Sequence, residues 1–321
     1  MKFPLTRIAL AGLLAVPALS QGMALMAAAD ASQCAATFEA EKTALQKQQA
    51  GAPAAAAQRI AGSVATAGAR DIAWAWLASP TVRYPHASMG SPTHAGSLHA
   101  ISRSGATYSL QLPLSRVWED LQPRLVDMDG DGRDEIVVIE ADIARGAAIV
   151  AYGIPRSGHL LEERSRSSWL GLPFRWLNPV GFADFDGDGK MDIASVTTPH
   201  IGGVLTLYRY APPRIEAFAK VPDVSNHQMG DPSLQMHAIV SLPGQRPTVI
   251  VPDMSRRALH ALRWEVPSNS TDGKPQWIEL ADVRPLPGRV NTLMPLSLNG
   301  RASSACAQLS DGSWWRIDLM P

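Results

Sequence analysis

The sequence predicts an all-β protein made of repeated units. An acidic turn occurs twice, at 127–135 and at 184–192, and weaker copies of the same unit without the acidic residues begin near positions 63, 240 and 297. Each unit has the pattern of four strands joined by turns, and 25 glycines and 25 prolines fit a chain with many turns. Units of about 40–60 residues with four strands are typical of propeller blades. We therefore predict a β-propeller of five four-stranded antiparallel blades over residues 59–321.

The N-terminus has the pattern of a secretory signal peptide. Lys2 and Arg7 precede an apolar run at 8–19, and small residues follow it. Cleavage is predicted after Ser20 or after Ala29, so that residues 1–29 hold the signal peptide and the mature protein is periplasmic or secreted. The alternative is a buried helix of a cytoplasmic protein. The run is too short to predict a stable membrane anchor, so we expect no transmembrane helix in the mature chain.

Residues 30–58 differ from the repeats, because they are rich in Ala, Glu, Lys and Gln. We predict a short helix or a loosely ordered arm that leads into the repeats. The last unit lacks its fourth strand, and this N-terminal arm is the only candidate to complete it. The two cysteines, Cys34 and Cys306, either form a disulfide or remain two separate thiols. If the arm itself were the fourth strand, its distance from Cys306 would be too long for a bridge.

The two acidic turns predict metal sites. Three Asp residues at alternate positions crowd like charges into one turn, where each pair at ~5 Å repels by roughly 3 kcal/mol at a dielectric of about 20. Oxygen ligands of this kind suit Ca²⁺, and glycines allow the sharp turn. Two Ca²⁺ ions are expected; the alternative is a pair of solvated acidic turns without metal. The predicted ligands are Asp127, Asp129, Asp131, the carbonyl of Arg133 and Glu135 in the first turn, and Asp184, Asp186, Asp188, the carbonyl of Lys190 and Asp192 in the second.

The pattern D-x-D-G-D-G-x-x-[DE]-[IL] between two strands resembles the FG-GAP or VCBS repeat of integrin-α-type β-propellers. The copies at 127–136 and 184–193 match it closely, and Glu135 stands where Asp is more usual. The resemblance implies a calcium-binding propeller outside the cytoplasm, with a role in binding or adhesion. Members of the family often have seven blades, whereas five units are counted here.

The face opposite the acidic turns is predicted to bind a partner. An insertion at 79–95 falls between the second and third strands of the first unit, and aromatic residues occur in the loops that enter the following units. Both kinds of loop emerge on the face away from the turns, and loops on a rigid scaffold often carry binding sites. The alternative is that the aromatic side chains pack between blades. The candidate partner-binding residues are Tyr84, His86, Trp118, Trp169 and Trp176.

The balance of charge and the motifs limit the classes of partner and activity that the sequence predicts. The 29 basic and 29 acidic residues balance, so no nucleic-acid partner is predicted. The sequence contains no familiar catalytic motif. We predict a secreted or periplasmic calcium-stabilised propeller that binds a glycan or a protein. The alternatives are a propeller-type polysaccharide hydrolase or lyase, and a structural envelope protein.

Overall fold

The computed structural model describes residues 23–26, 32–268, 270–283, 286–298 and 301–319. In these ranges the protein is all-β, as predicted, apart from helix α1 (Ser32–Ala50) and a short 3₁₀ helix at Ala54–Gln58. No helix in this part of the chain has the length and hydrophobicity that a membrane crossing needs. The predicted signal peptide lies outside the described residues, except for strand β1 (Met23–Met26).

The strands form five consecutive antiparallel meanders, here called meanders 1 to 5. Meander 1 contains β2 (Thr66–Ala67), β3 (Ile72–Thr81), β4 (His94–Ser102) and β5 (Thr107–Gln111). Meander 2 contains β6 (Arg116–Trp118), β7 (Arg124–Val126), β8 (Glu135–Asp142), β9 (Gly146–Gly153) and β10 (Glu162–Ser167). Meander 3 contains β11 (Leu177–Ala183), β12 (Asp192–Thr197), β13 (Val204–Ala211) and β14 (Arg214–Pro222). Meander 4 contains β15 (Ala238–Val240), β16 (Thr248–Pro252), β17 (Leu259–Glu265) and β18 (Gln276–Val283). Meander 5 contains β19 (Val290–Leu298), β20 (Arg301–Leu309), β21 (Trp314–Leu319) and β1.

The first strand of meander 2 is split into β6 and β7, which pair with different parts of β8. Buried Asp120 explains the split. Its carboxylate accepts hydrogen bonds from the backbone N–H groups of Leu121 and Gln122 and, across the sheet, of Ile139 at 3.0 Å. The side chain thereby replaces a backbone acceptor of the ladder, and buried N–H groups need such partners. The same break brings Glu119 to the end of the strand, next to the insertion of meander 1.

Neighbouring meanders are joined by hydrogen bonds. Meanders 1 and 2 are linked by the bond from Val64 N–H to the Leu121 carbonyl (2.9 Å), and β10 pairs in parallel with β14 of meander 3. Asn178 of meander 3 donates to the Leu234 carbonyl beside meander 4 (3.0 Å). The bond from Ser241 N–H to the Ala302 carbonyl joins meanders 4 and 5 (2.8 Å). The meanders therefore contact one another in chain order.

Meander 5 is completed by the N-terminal part of the chain. Strand β1 pairs antiparallel with β21, so that Met23 lies opposite Leu319. The chain then continues to α1, which folds back over the meander. Cys34 of α1 forms a disulfide with Cys306 of β20, with the two Cα atoms 5.5 Å apart. The arm therefore divides into an edge strand and a helix, and it is the helix that carries Cys34 to the interior strand.

Helix α1 also reaches meander 1. The side-chain amides of Gln48 and Gln49 both donate to the backbone carbonyl of Ala65 at 2.9 Å, and the Gln49 oxygen accepts from the Ala65 N–H. At its other end the helix packs Phe38 against Trp314, with ring centroids 5.2 Å apart. One helix therefore connects the last meander to the first.

The turns and loops of each meander fall on two opposite ends of its strands. The acidic turns join β7 to β8 and β11 to β12, whereas the insertion joins β3 to β4. Because the strands of a meander alternate in direction, the insertion and the loops between meanders lie on the end away from the acidic turns. We call the two ends the turn face and the insertion face.

Candidate functional site

The first acidic turn holds a group of carboxylates. Asp127, Asp129 and Glu135 each offer an oxygen atom, and these atoms lie within 4.8 Å of one another. Asp127 orders the turn, because its two carboxylate oxygens accept from the N–H groups of Gly130 (2.8 Å) and Gly132 (3.0 Å). Both glycines have positive φ, 78° and 85°, a conformation that side chains disfavour.

Two other predicted ligands of the first turn have different surroundings. Asp131 lies outside the group of three and accepts a hydrogen bond from the Arg133 N–H at 2.8 Å. The Arg133 side chain leaves the turn: its guanidinium donates to Asp71 at 3.1 Å and to the Ile154 carbonyl at 3.0 Å. The carbonyl of Arg133 stays a predicted ligand.

The second turn repeats this construction. Asp184, Asp186 and Asp188 form its group of carboxylates, and Asp184 accepts from the N–H groups of Gly187 (2.7 Å) and Gly189 (3.0 Å). An arginine contacts each group: Asp186 is bonded to Arg209 of β13, and in the first turn Nε of Arg70 lies 3.4 Å from Oδ2 of Asp127. Asp192 lies outside the group of three. The carbonyl of Lys190 stays a predicted ligand.

The pKa of the buried acidic residue at the end of each turn indicates whether a cation suits the site. Burial, and then the repulsion of neighbouring carboxylates, raises the pKa of Glu135 and of Asp192 to about 7. One backbone hydrogen bond to each carboxylate lowers the pKa in return: the Met128 N–H donates to Glu135, and the Phe185 N–H donates to Asp192. Oδ1 of Asp192 is buried and has no protein hydrogen-bond partner among the described residues. An oxygen-binding cation would neutralise this charge, so both sets of residues fit a metal ion.

On the insertion face, three of the five candidate partner-binding residues are buried. Trp118 is 0% exposed and packs against Tyr152, Tyr84 is 1% exposed, and Trp176 is 2% exposed. Trp169 is partly buried, and the guanidinium groups of two arginines lie over its ring at 4.4 and 4.8 Å. These indole and phenol rings therefore present little free surface to a ligand.

The buried residues instead shape a pocket on this face. The Tyr84 hydroxyl accepts a hydrogen bond from the Phe174 N–H at 2.7 Å, and the Trp176 indole N–H donates to the Glu119 carbonyl at 2.9 Å. His86 is fixed from behind, because its Nδ1 lies 2.6 Å from Oε1 of fully buried Glu119. The pocket has a volume of about 370 Å³ and is lined by His86, Phe174, Arg175, Trp176, Thr198, Pro199, His200, Ile201 and Met229.

Several residues of this pocket escaped sequence reasoning. His200 and His227 are hydrogen-bonded to each other at 2.8 Å, and the His200 ring stacks on Trp176 with an interplanar angle of 14°. Burial lowers the pKa of both histidines to about 4, so both are neutral at pH 7. No spacing or motif in the sequence pairs them with Trp176 or pairs Glu119 with His86. The loops that carry them meet only in the folded chain.

The geometry of the acidic turns agrees with a known repeat. Residues 127–195 match the family model of the FG-GAP-like repeat. The match begins at the first acidic turn and ends in β12, so it includes both acidic turns and the strands between them. A search of curated proteins found no match to the chain. The FG-GAP-like repeat is thereby supported for residues 127–195.

Proposed function

We propose that the chain is a calcium-stabilised five-bladed β-propeller that acts outside the cytoplasm as a binding module for a protein or glycan partner. The observation that carries this proposal is the division of the molecule into two faces. The FG-GAP-like acidic turns lie on one face, and a pocket with exposed apolar side chains lies on the other. A rigid scaffold with such a division serves binding, because ligand contacts on one face are independent of the stabilising sites on the other.

The propeller is supported by the order of the contacts. Five four-stranded meanders contact their neighbours in sequence, and α1 joins meander 5 to meander 1. Pairing of β1 with β21 places both ends of the chain in one meander, which is how propellers avoid a bare closing edge. In this arrangement each meander is one blade.

Calcium is supported by the ligand types and by the family match. Carboxylate oxygens at alternate positions with a further buried acid suit Ca²⁺ rather than a softer metal. One ion in each complete turn gives two Ca²⁺ ions per chain. The ten residues predicted from the sequence, five in each turn, would hold them. Calcium would hold the first two strands of meanders 2 and 3 together and neutralise the carboxylates.

The location outside the cytoplasm is supported by the N-terminal signal pattern and by the disulfide between Cys34 and Cys306. Disulfides persist in oxidising compartments such as the periplasm. Strand β1 favours cleavage after Ser20 rather than Ala29, because only the former leaves residues 23–26 in the mature protein.

Two measurements test the proposal. Calorimetric titration of chelator-treated protein with CaCl₂ should give a stoichiometry near two, and a value of zero or one would contradict the metal assignment. Binding to a glycan array and to immobilised envelope proteins should weaken for Ile201→Ser on the insertion face. It should be unchanged for Leu160→Ser, an equally exposed apolar residue in the loop between β9 and β10 on the turn face. Equal losses in the two variants would refute the assignment of faces.

A further inference from the structure

The pocket on the insertion face joins an apolar rim to a cationic wall. Phe174, Ile201 and Met229 line it and are 44%, 61% and 55% exposed. Exposed apolar side chains grouped around one opening mark an interaction site, whereas single ones are ordinary. This rim is separate from the acidic turns.

The polar wall of the same pocket carries one positive charge and no negative one. Arg175 lines it, and no acidic side chain does. Nδ1 of His86 is occupied by Glu119, and Nε2 of His200 is occupied by His227. The other ring nitrogen of each histidine is therefore left for a ligand. A guanidinium flanked by imidazoles suits a carboxylate, which accepts hydrogen bonds from Arg175 and from an imidazole nitrogen in the tautomer that carries its proton there.

The backbone of the pocket is held in an unusual conformation. Among the described residues, five non-glycine residues have φ between 46° and 66°, and two of them, Phe174 and Thr198, line this pocket. Two hydrogen bonds impose this shape: the Phe174 N–H donates to the Tyr84 hydroxyl at 2.7 Å, and the Thr198 N–H donates to the Trp176 carbonyl at 2.8 Å. Left-handed backbone at β-branched or bulky residues persists where surrounding contacts fix it, and it is concentrated at ligand sites.

From these observations we infer that the pocket binds the C-terminal residue of a polypeptide partner, with an apolar side chain against the rim and the terminal carboxylate on Arg175. This inference rests on the proposed binding function and specifies its ligand. In an extended peptide, successive side chains point to opposite sides, so an internal acidic residue and its apolar neighbour would not enter one pocket together. A terminal residue carries both groups on one carbon atom.

A glycan fits the pocket less well. Sugars bind to flat aromatic faces, but the rings of Tyr84, Trp118 and Trp176 are buried. The rim that remains exposed consists of one phenyl ring, an isoleucine and a methionine, which favour an aliphatic side chain.

The methyl group of Met229 provides a direct measurement. Protein with ¹³C-labelled methionine methyl groups, with the Met229 signal assigned from Met229→Leu, is titrated with acetyl-Ala-Ala-Leu as the free acid and as the C-terminal amide. We expect the acid to shift the Met229 signal and the amide to bind about tenfold or more weakly. The variant Arg175→Gln should lose the preference for the acid. Its control, Arg214→Gln, changes an arginine outside the pocket and should keep the preference.

The outcomes separate this inference from the broader proposal. Equal affinity for acid and amide, or no shift of Met229 with either, would overturn the inference. A larger shift with glucuronic acid than with the peptide acid would also overturn it and would indicate a glycan. None of these results depends on calcium, whereas failure of the proposed propeller module would appear in the calcium stoichiometry and in partner binding by the whole insertion face.

Discussion

In metal-free protein, a rise in pH from about 4 to about 8 should destabilise the fold through Glu135 and Asp192. Burial and, after it, the repulsion of adjacent carboxylates raise the pKa of both carboxyl groups to about 7. A carboxyl group with a raised pKa binds its proton more tightly in the folded chain than in the unfolded chain. Its effect on stability therefore becomes less favourable as the pH rises from the unfolded pKa to the folded pKa, and it is constant above pH 7.

The magnitude follows from the two pKa values. The ordinary pKa is 3.8 for the Asp192 side chain and 4.5 for the Glu135 side chain. At about 1.4 kcal/mol per pH unit, a rise to about 7 corresponds to about 4 kcal/mol for Asp192 and about 3 kcal/mol for Glu135. The two side chains are 1% and 6% exposed, so solvent screens them little. They follow different turns, so their effects should add.

The assay is urea unfolding at several pH values, in chelator and in excess calcium. In chelator the free energy of unfolding of the parent should decrease towards pH 8 relative to that of the variant Asp192→Asn. Both proteins keep the buried histidines, whose lowered pKa stabilises the folded chain as the pH rises above about 4, so that effect cancels in the comparison. Calcium should reverse the trend, because binding requires deprotonated ligands and adds about 2.7 kcal/mol per site at a hundredfold excess over Kd. The variant Asp192→Asn should be more stable than the parent in chelator at pH 8 and gain less from calcium. The control is Asp272→Asn, at a fully exposed aspartate whose pKa is lowered by hydrogen bonds from Lys274 and Ser270.

One result would refute this reasoning. If Asp192→Asn were equally destabilising in chelator and in calcium at pH 8, the carboxylate would be stabilised by the protein itself rather than by a cation. A parent whose stability relative to Asp192→Asn did not fall from pH 4 to pH 7 in chelator would point the same way, because it would show that the pKa of Asp192 is not raised in the folded chain.

Three further predictions concern the closure of the fold and the pocket. Deletion of the strand Met23–Met26 should lower the melting temperature and promote aggregation, measured by light scattering, because it exposes the edge of β21; a deletion without either effect would show that β1 is dispensable. Replacement of Cys34 and Cys306 by serine should lower the free energy of unfolding by up to about 5 kcal/mol in the chain-entropy model, measured by urea unfolding against the oxidised parent. An unchanged free energy of unfolding would show that the disulfide does not stabilise the fold. The variant Tyr84→Phe should cost about 1 kcal/mol and broaden the amide signal of Phe174 in NMR spectra, because that N–H loses its acceptor; an unchanged signal would contradict the role of the hydroxyl.

The sequence predicted local features well. The acidic turns at 127–135 and 184–192 gave the carboxylate groups and the strands on either side, because turn chemistry and strand pattern are properties of adjacent residues. The all-β class was confirmed for the same reason. The helical composition of 30–58 agrees with α1, although composition alone left an ordered helix and a loose arm as alternatives.

Features that depend on contacts between distant residues were not predictable. The bond between Glu119 and His86 depends on the break of a strand at Asp120, and no periodic signal marks that break. Aromatic residues in loops also gave an ambiguous signal: Trp118 and Trp176 occur where binding residues are expected, yet both are buried. A sequence shows where an aromatic residue lies along the chain, but its exposure depends on which other loops cover it.

The pairing of β1 with β21 joins two strands that are synthesised at different times. Strand β1 is synthesised well before β21, so meander 5 cannot close until β21 has emerged from the ribosome, whereas meanders 1 to 4 each form from consecutive strands.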